Sequence, residues 1–322
     1  MKFNKNWWAV LLLAGTFIFT RNVAYADENS QSSSQSSADS SVVSSQTDSQ
    51  SSSEATSDSS TNSSAASSSA SVSQAKTGWQ VIGKKHYYYQ NGAKLKGLRK
   101  IGKYWYLFNK NGVMQTGFHK RPNGKTYNYF DNAGRKRFTN TNTAKAYYWI
   151  KKSTGTIVGI RNYSAPICQR PQLPTGCEIT AVTMMINFAG YNISKIKAAN
   201  LMPLSYNPNR GFVGSPYSTS GTWVAPGGVA PVVKRYLGTY KIMTGCSLSA
   251  IKNKLINSHL VVVWVSNFDG FPNHALTLTG YHNSTLYYND PWTGTRRHMS
   301  ARTFYRHWNA YWQGGHQRAI SY

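Results

Sequence analysis

The sequence predicts an α+β domain preceded by an all-β region of hairpin repeats, and three observations support this prediction. Residues 78–139 repeat a pattern of glycine, aromatic cluster and turn with a period of about 20. From residue 160 onward, helical patterns come before a cluster of strand patterns. The 322-residue chain carries 36 Lys and Arg against 10 Asp and Glu, and it has three cysteines.

The first 26 residues have the features of a secretory signal peptide. Lys2 and Lys5 supply positive charge, residues 7–19 form an apolar run, and residues 24–26 read Ala-Tyr-Ala, a cleavage pattern. A membrane anchor is the alternative, but the run is short for a bilayer. We therefore expect a secreted, extracellular and cell-wall-associated protein with no transmembrane segment in the mature chain.

Residues 27–75 are mostly serine and lack aromatic side chains, so they are expected to form a disordered linker. They hold six of the ten acidic residues. The formal net charge of +26 favours anionic surroundings. Outside a cell these are teichoic acids or other anionic wall polymers. Nucleic acid fits the charge equally well, but the export signal argues against it.

Residues 76–159 are predicted to form stacked β-hairpins. Gly78, Gly97 and Gly117 open successive units, and aromatic residues follow each of them. Asn91-Gly92 and Asn111-Gly112 are typical hairpin turns. A weaker fourth unit runs from Tyr147 through Gly155 to Gly159. Single hairpins of this size are unstable, so the units must stack.

This repeat region resembles the choline- and glucan-binding type of cell-wall-binding repeat. By that resemblance, aromatic side chains form shallow sites for choline groups or sugars: Trp79, Tyr87, Tyr89, Tyr104, Trp105, Tyr106, Tyr127 and Tyr129. Only the first unit has Trp after its opening glycine, since Leu98 and Phe118 take that place in the others. Glycan or general wall binding is therefore favoured over choline. The alternative is that these aromatics only hold the hairpins together.

Residues 160–322 form the predicted α+β domain. A helix is expected from Cys177 to Ala189, and a second one from Leu248 to Ile256 with Ser247 as its N-cap. Strands are expected at residues 261–265, 274–281 and 286–289. The glycine-rich stretch from Gly221 to Gly228 lacks the phosphate-loop spacing and is expected to be a loop near the cleft.

Cys177 is the candidate nucleophile. A thiol at the start of a helix meets unpaired backbone N–H groups and the positive end of the dipole, which predicts a lowered thiol pKa. The alternatives are a buried apolar side chain or a disulfide partner. An odd cysteine count indicates a free thiol. Cys168 and Cys246 are expected either to pair or to be buried thiols, and no metal site is expected.

His274 and Asp290 complete the predicted site. Adjacent antiparallel strands put them at the same end of a sheet, where the imidazole accepts the thiol proton and the carboxylate orients the ring. The acidic residues after residue 75 are only Asp131, Glu178, Asp269 and Asp290. Because acidic residues are so few there, Asp290 is less expected to be an incidental surface charge. Glu178 is expected to stabilise the first helical turn.

An acyl-transfer site also needs donors for the oxyanion. The backbone N–H of Cys177 is one candidate donor. Gln172, five residues upstream, is the expected side-chain donor, with Gln169 as the less favoured substitute.

Four segments together resemble the peptidase C39-like family: residues 171–181, 211–214, 273–275 and 289–292. That resemblance implies a papain-like fold and thiol proteolysis, with the catalytic roles on Cys177, His274, Asp290 and Gln172. It implies no cofactor. Better-known members cut double-glycine leaders on transporters inside the cell, and the export signal argues against carrying that substrate over.

The sequence therefore predicts a secreted, wall-associated cysteine peptidase acting on a peptide or protein substrate. A peptidoglycan peptide hydrolase is one alternative, and a wall-binding or adhesion protein without turnover is another. Labelling of Cys177 with a thiol reagent separates the last alternative from the first two.

Overall fold

The structure, a computed structural model, describes residues 75–310, 312–313 and 315–322. The predicted signal peptide and nearly all of the predicted linker lie outside the described residues. Within the described part of the chain, no helix is long and apolar enough to cross a membrane.

Seven short strands form the N-terminal region as antiparallel pairs. They are β1 (Gly78–Ile82), β2 (Lys85–Gln90), β3 (Ala93–Lys94), β4 (Gly97–Ile101), β5 (Tyr104–Phe108), β6 (Gly117–Lys120) and β7 (Tyr127–Phe130). β2 pairs with β1 and β3, β4 with β5, and β6 with β7. Between β2 and β3, Asn91 has φ 49° and Gly92 has φ 79°. These left-handed angles are the reason that Asn-Gly suits this turn.

Successive hairpins are joined by backbone hydrogen bonds. The amide of Met114, which follows the second hairpin, donates to the carbonyl of His86 in the first at 2.8 Å. The amide of Lys136 donates to the carbonyl of Trp105 at 2.8 Å in the same way. Each unit therefore gains ordered neighbours that a lone hairpin lacks.

The other nine strands of the described chain form a single sheet. Its strands are β8 (Thr141–Asn142), β9 (Ala146–Lys151), β10 (Thr156–Asn162), β11 (Lys241–Ile242), β12 (Val261–Val265), β13 (His274–His282), β14 (Thr285–Asp290), β15 (Thr295–Ser300) and β16 (Ala319–Ser321). The order is β11-β16-β12-β13-β10-β9-β8, and β14 joins β13 to β15. The neighbouring strands named here are antiparallel.

β13 organises the sheet because three strands pair with it. β12 pairs with its first half and β10 with residues 280–282 on one edge, while β14 occupies the other edge. A Cβ at Gly280 would lie 2.1 Å from the carbonyl oxygen of Ile160 in β10. Glycine is required at this close approach. β10 spans residues 156–162, so the hairpin nearest the repeats is also part of this sheet.

Five helices pack around the sheet: α1 (Cys177–Phe188), α2 (Lys195–Leu201), α3 (Pro226–Leu237), α4 (Leu248–Ile256) and α5 (Ala301–Asn309). α1 is the central helix, and residues 177–186 are all buried. It packs against β12, β13, α2 and α3. Apolar side chains make up most of this helix, in keeping with its burial.

The expected α+β architecture is confirmed. α1 and α4 lie where predicted, and the Ser247 hydroxyl accepts the amide of Ala250 at 3.2 Å as the α4 N-cap. β12, β13 and β14 also match the predicted strands. The loop expected from Gly221 to Gly228 is wrong in its last three residues, because α3 begins at Pro226, where a missing N–H costs nothing in a first turn.

Candidate active site

Cys177 is the first residue of α1, and its side chain is buried. Gly176 precedes it at a tight turn, where a Cβ would lie 2.8 Å from the Cβ of the buried Leu173. The thiol lies at the start of β13, where the backbone N–H of Ala275 is close enough to lower the pKa of Cys177. Cys177 therefore lies beside the first residues of β13.

His274 begins β13 and Asp290 ends β14, and the structure brings their side chains together. Nε2 of His274 lies 2.8 Å from Oδ1 of Asp290, and both residues are about fully buried, at 2% and 1% exposure. When Nε2 carries the proton that it shares with the carboxylate, Nδ1 is the ring nitrogen that can accept another proton.

Asp290 is held ionised by several donors. Burial alone would raise its pKa, but the hydrogen bond and positive charge of His274, the amide of Trp292 and the guanidinium of Arg297 outweigh burial and lower the pKa to about 2. Arg297 Nη1 lies 3.1 Å from Oδ2, and it also pairs with Asp269. The sequence analysis missed Arg297, which follows from the pairing of β15 with β14.

Aromatic rings cover the imidazole. Phe268 and Phe271 stack on His274 at centroid distances of 6.0 and 5.2 Å. Trp292 meets Phe271 edge to face at 4.9 Å. Because these rings limit access of water, the interaction between the imidazole and the carboxylate is stronger than it would be in solvent.

One cavity of about 130 Å³ contains the predicted nucleophile and base. Its walls are formed by Gln169, Pro174, Thr175, Cys177, Thr222, Phe271, Asn273, His274 and Trp292. A larger groove of about 670 Å³ adjoins it, since Thr222, Phe271 and Asn273 line both. An extended substrate can therefore approach the thiol along a partly aromatic surface that includes Trp223 and Trp312.

Gln169, rather than Gln172, lines this cavity. The side chain of Gln172 is exposed, whereas Gln169 is buried and its Nε2 donates to the carbonyls of Leu173 and Pro174 at 3.1 and 3.0 Å. Lys195 fixes the segment by donating to the carbonyl of Gln169 at 2.8 Å. Spacing along a loop does not determine which side chain faces inward, so the sequence could not choose between the two glutamines.

The thiol pKa differs from the sequence expectation. Burial, followed by the negative charge of Glu178 and its hydrogen bond, raises the pKa of Cys177 well above its ordinary value. Backbone N–H groups of Ala275 and Glu178 lower that pKa, but by less. Backbone N–H groups therefore do lower the thiol pKa, but burial, followed by the neighbouring carboxyl group, outweighs them.

The other cysteines are free. Cys168 and Cys246 are half-buried thiols, so the disulfide alternative does not hold. Within the described part of the chain, no group of three or more His, Cys, Asp or Glu side chains is arranged to hold a metal ion.

The aromatic residues predicted to bind a wall ligand divide into two groups. Tyr87, Tyr106 and Tyr127 are buried, and the Tyr127 hydroxyl lies 3.2 Å from Asn253 Oδ1 in α4. The more accessible ones are Trp79, Tyr89, Tyr104, Trp105 and Tyr129. Packing between units therefore accounts for the first group, and the second remains available to a ligand.

Trp79 lies at the first junction between hairpins, where its ring is 4.9 Å from Tyr106 and 5.3 Å from Tyr88. At the last junction Phe118 stacks on Tyr127 and Tyr148. The residue after the opening glycine thus repeatedly contacts the next unit. The sequence analysis did not place Tyr88 among the ligand-binding aromatics, although its ring packs against Trp79.

Cationic side chains of the chain itself lie over several of these rings. Lys94 is 4.4 Å from the centroid of Tyr87, and Arg135 is 4.4 Å from that of Tyr104. A choline headgroup would use the same ring faces, since it too is recognised by cation–π attraction. Trp79 and Trp105 are the exposed residues among the predicted aromatics, and their rings are therefore the most accessible to an external cation.

Comparison with known proteins gives two family matches. Residues 162–316 match the Peptidase_C39 like family, and residues 95–141 match the choline-binding repeat. The uncharacterized protein YvpB of Bacillus subtilis (strain 168) is 30% identical over an alignment of 166 residues, and the match covers 43% of this chain and 66% of YvpB. The chain thus matches slightly less than two thirds of that relative's length.

Two solved structures resemble different parts of the chain. One is provisionally assigned as a C39-like peptidase from Bacillus anthracis, with 26% identity, a TM-score of 0.44, and coverage of 50% of this chain and 98% of the other. The second is choline binding protein F from Streptococcus pneumoniae, with 27% identity, a TM-score of 0.24, and coverage of 26% and 28%. The two family matches confirm both resemblances predicted from the motifs.

Proposed function

We propose that this chain, which joins choline-binding-type repeats to a C39-like peptidase region, is a secreted, cell-wall-associated cysteine peptidase of papain-like type. The observation that carries the proposal is that His274, which is held by a buried hydrogen bond of 2.8 Å to Asp290, lines the same small cavity as Cys177. A nucleophile, a base and a group that orients the base are the parts that thiol hydrolysis requires.

In the proposed mechanism, Nδ1 of His274 accepts the thiol proton and the Cys177 sulfur attacks an amide carbonyl. The carbonyl electron pair moves to oxygen, and the imidazolium then gives its proton to the departing amine. Water attacks the resulting thioester with His274 as base, which releases the acid and restores the thiol. Asp290 keeps the proton on Nε2 throughout and stabilises the imidazolium.

We assign the oxyanion contacts to the backbone N–H of Cys177 and to Nε2 of Gln169. In the present structure Nε2 donates to the carbonyls of Leu173 and Pro174. Substrate binding would exchange one of these bonds for the oxyanion, in keeping with catalytic hydrogen bonds that form only in the complex. The exposed position of Gln172 gives it no comparable role.

We also propose that the repeats hold the protein on choline- or sugar-bearing wall polymers. Two observations support this assignment: Trp79 is exposed where its ring packs against Tyr106, and residues 95–141 match the choline-binding repeat. The net charge of +26 adds attraction to anionic polymers that salt would weaken. The apolar run and cleavage pattern of residues 1–26 support export.

The test compares Cys177→Ala with Cys246→Ala, which removes a thiol far from the cavity in sequence. Hydrolysis of fluorogenic peptides and of purified wall material is measured for the wild type and for both variants. Loss of hydrolysis in Cys177→Ala alone supports the proposal. Cleavage of wall material without cleavage of linear peptides identifies the peptidoglycan peptide hydrolase. Full activity of Cys177→Ala overturns the thiol mechanism.

A second candidate function is wall binding without turnover. One observation favours it, namely that the pKa of the Cys177 thiol is raised rather than lowered. In that case the wild type binds wall material, fails to hydrolyse either substrate, and alkylates at Cys177 no faster than an ordinary thiol.

A further inference from the structure

Glu178 is a second carboxyl group at the site, and the mechanism above gives it no part. Its side chain is completely buried, and its Oε2 accepts the Cys177 thiol at 3.3 Å. Oε1 accepts the amide of Val224 at 3.2 Å and Nδ2 of Asn273 at 3.4 Å. A carboxylate that only stabilised a helix start would not need burial or donors from two other segments.

Within the described part of the chain, the hydrogen-bond partners of the Glu178 side chain include no cationic group. All three side-chain or backbone donors named above are uncharged, so the carboxylate is solvated by dipoles alone. Burial raises its pKa to about 7, although these donors and its own backbone N–H oppose that rise. In turn, burial and the charge of Glu178 raise the pKa of Cys177.

We propose, building on the proposed thiol mechanism, that Glu178 is a catalytic residue that controls by its own protonation whether the Cys177 thiolate forms. Ionised Glu178 accepts the S–H hydrogen and keeps the proton on sulfur. Protonated Glu178 donates its O–H to the sulfur and so stabilises a thiolate paired with the imidazolium of His274.

The change from the high-pH form of the site to the low-pH form takes up one proton from solution. In the high-pH form the thiol and Glu178 carboxylate coexist with neutral His274. When a proton binds Oε2, the thiol proton moves to Nδ1 of His274, which leaves a neutral carboxyl, a thiolate and an imidazolium. The site gains one positive charge, and no oxidant or other reactant is needed.

The elements packed against α1 bring few other charges to this pair. β13 brings His274, which is linked through Asp290 to Arg297. β12 consists of valines and a tryptophan. α2 brings Lys195, whose ammonium group is bonded to the carbonyls of residues 168–170. The charged residues of α3, Lys234 and Arg235, are in its last turn, away from Val224. His274 is therefore the titratable group that must be followed together with Glu178.

The first test measures iodoacetamide alkylation of Cys177 by peptide mapping, in the full chain, from about pH 5 to about pH 9. The variants are Glu178→Gln, which keeps the shape and removes the charge, and Asp131→Asn, which removes a carboxylate from the repeat region. The ratio of the Glu178→Gln rate to the wild-type rate is expected to rise by about tenfold or more across neutral pH, the effect of one pKa unit. Asp131→Asn should follow the wild type.

A ratio that stays constant or falls with increasing pH overturns the proposal, because a purely structural role would change the rate at every pH alike. A second measurement needs no variant. The chain contains three glutamates, Glu28, Glu54 and Glu178, so ¹³C labelling of glutamate gives three side-chain carboxyl signals.

One of these signals is expected to titrate well above the other two, with the same midpoint as the change in wild-type alkylation rate. Titration of all three near the ordinary glutamate pKa of about 4.3 overturns the proposal. The hydrolase function fails on a different result, which is activity without Cys177. Hydrolysis combined with a pH-independent rate ratio keeps the hydrolase and rejects the role of Glu178.

Discussion

The hairpin repeats and the sheet region use aromatic residues in different ways. In the repeats, Trp79 and Trp105 remain exposed to solvent at about two fifths, and each unit contacts the next one along the chain. In the sheet region, Phe268 and Phe271 enclose a single imidazole. Local stacking repeats one kind of aromatic surface along the hairpins, whereas the enclosed site also needs Cys177 from a distant helix.

The largest expected effect separates these two regions. His274→Ala should lower kcat/KM for hydrolysis by about 10³-fold or more, because both the base and its link to Asp290 are lost. Sedimentation with purified walls should be unchanged. His298→Ala, which removes an exposed histidine in β15, is the matched control. Equal losses of hydrolysis in both variants would contradict the assignment of the base.

Replacing each of the two glutamines by alanine tests which one contacts the oxyanion. Gln169→Ala should lower kcat by about 10²-fold, the usual effect of removing one oxyanion donor. Gln172→Ala should change kcat little, since its side chain is exposed. Steady-state kinetics on one peptide substrate measures both variants. A larger loss for Gln172→Ala would return the oxyanion role to that residue.

Glu178 and Asp290 should give opposite pH dependences of stability. The raised pKa of Glu178 stabilises the fold fully below its unfolded value of about 4.3, and that contribution is lost as pH rises through about 7. In the wild type the unfolding free energy should therefore fall by about 4 kcal/mol between these two pH values, and Glu178→Gln should remove this fall. Urea titrations followed by tryptophan fluorescence measure the difference.

The lowered pKa of Asp290 has the opposite sign. Its contribution is present above the unfolded value of about 3.9 and is lost as pH falls through about 2. A Glu178→Gln stability curve that parallels the wild type from about pH 4 to pH 7 would contradict the buried, uncompensated state of Glu178.

A smaller effect is expected in the repeats. Trp79→Ala should weaken wall binding by about tenfold, the loss of about 1.4 kcal/mol of aromatic contact. Alkylation of Cys177 should not change. Tyr240→Ala, an exposed aromatic of the sheet region, is the control. Release of the bound wild type by choline would identify a choline site, and release by salt alone would indicate anionic polymer binding.

The smallest effect concerns the junction of the two regions. Tyr127→Phe removes the hydroxyl that contacts Asn253 and Asn257 in and beside α4. The unfolding free energy should fall by about 1 kcal/mol, the value of one hydrogen bond, while the stacked ring remains. No loss in urea titrations would mean that the hydroxyl contributes nothing to joining the regions.

Local signals made the elements around the site predictable. Ser247 begins α4 as a side-chain cap, and the unbroken apolar run of residues 261–265 forms the buried β12. The pairing of His274 with Asp290 followed from a short hairpin between two strands. In each case, neighbours in sequence determine the geometry.

The missed features depend on distant contacts. α3 contains Pro226, Gly227 and Gly228, which favour a loop, but a Cβ at Gly228 would lie 2.6 Å from the carbonyl of Pro208. Gly228 therefore allows α3 to pack closely against the backbone at Pro208. The sequence likewise placed Glu178 in a first helical turn, and only the approach of Val224 and Asn273 makes that position a buried one.

The pairing of β10 with β13 affects how far from its binding surface the protein can act. β10 belongs to the hairpin that follows the repeats, and it pairs directly with the strand that begins at His274. If the hairpins bind a wall polymer as proposed, the polymer would be held at a fixed distance from the Cys177 sulfur. The bonds that are cleaved would then depend on their distance from the bound part of the polymer as well as on their chemistry.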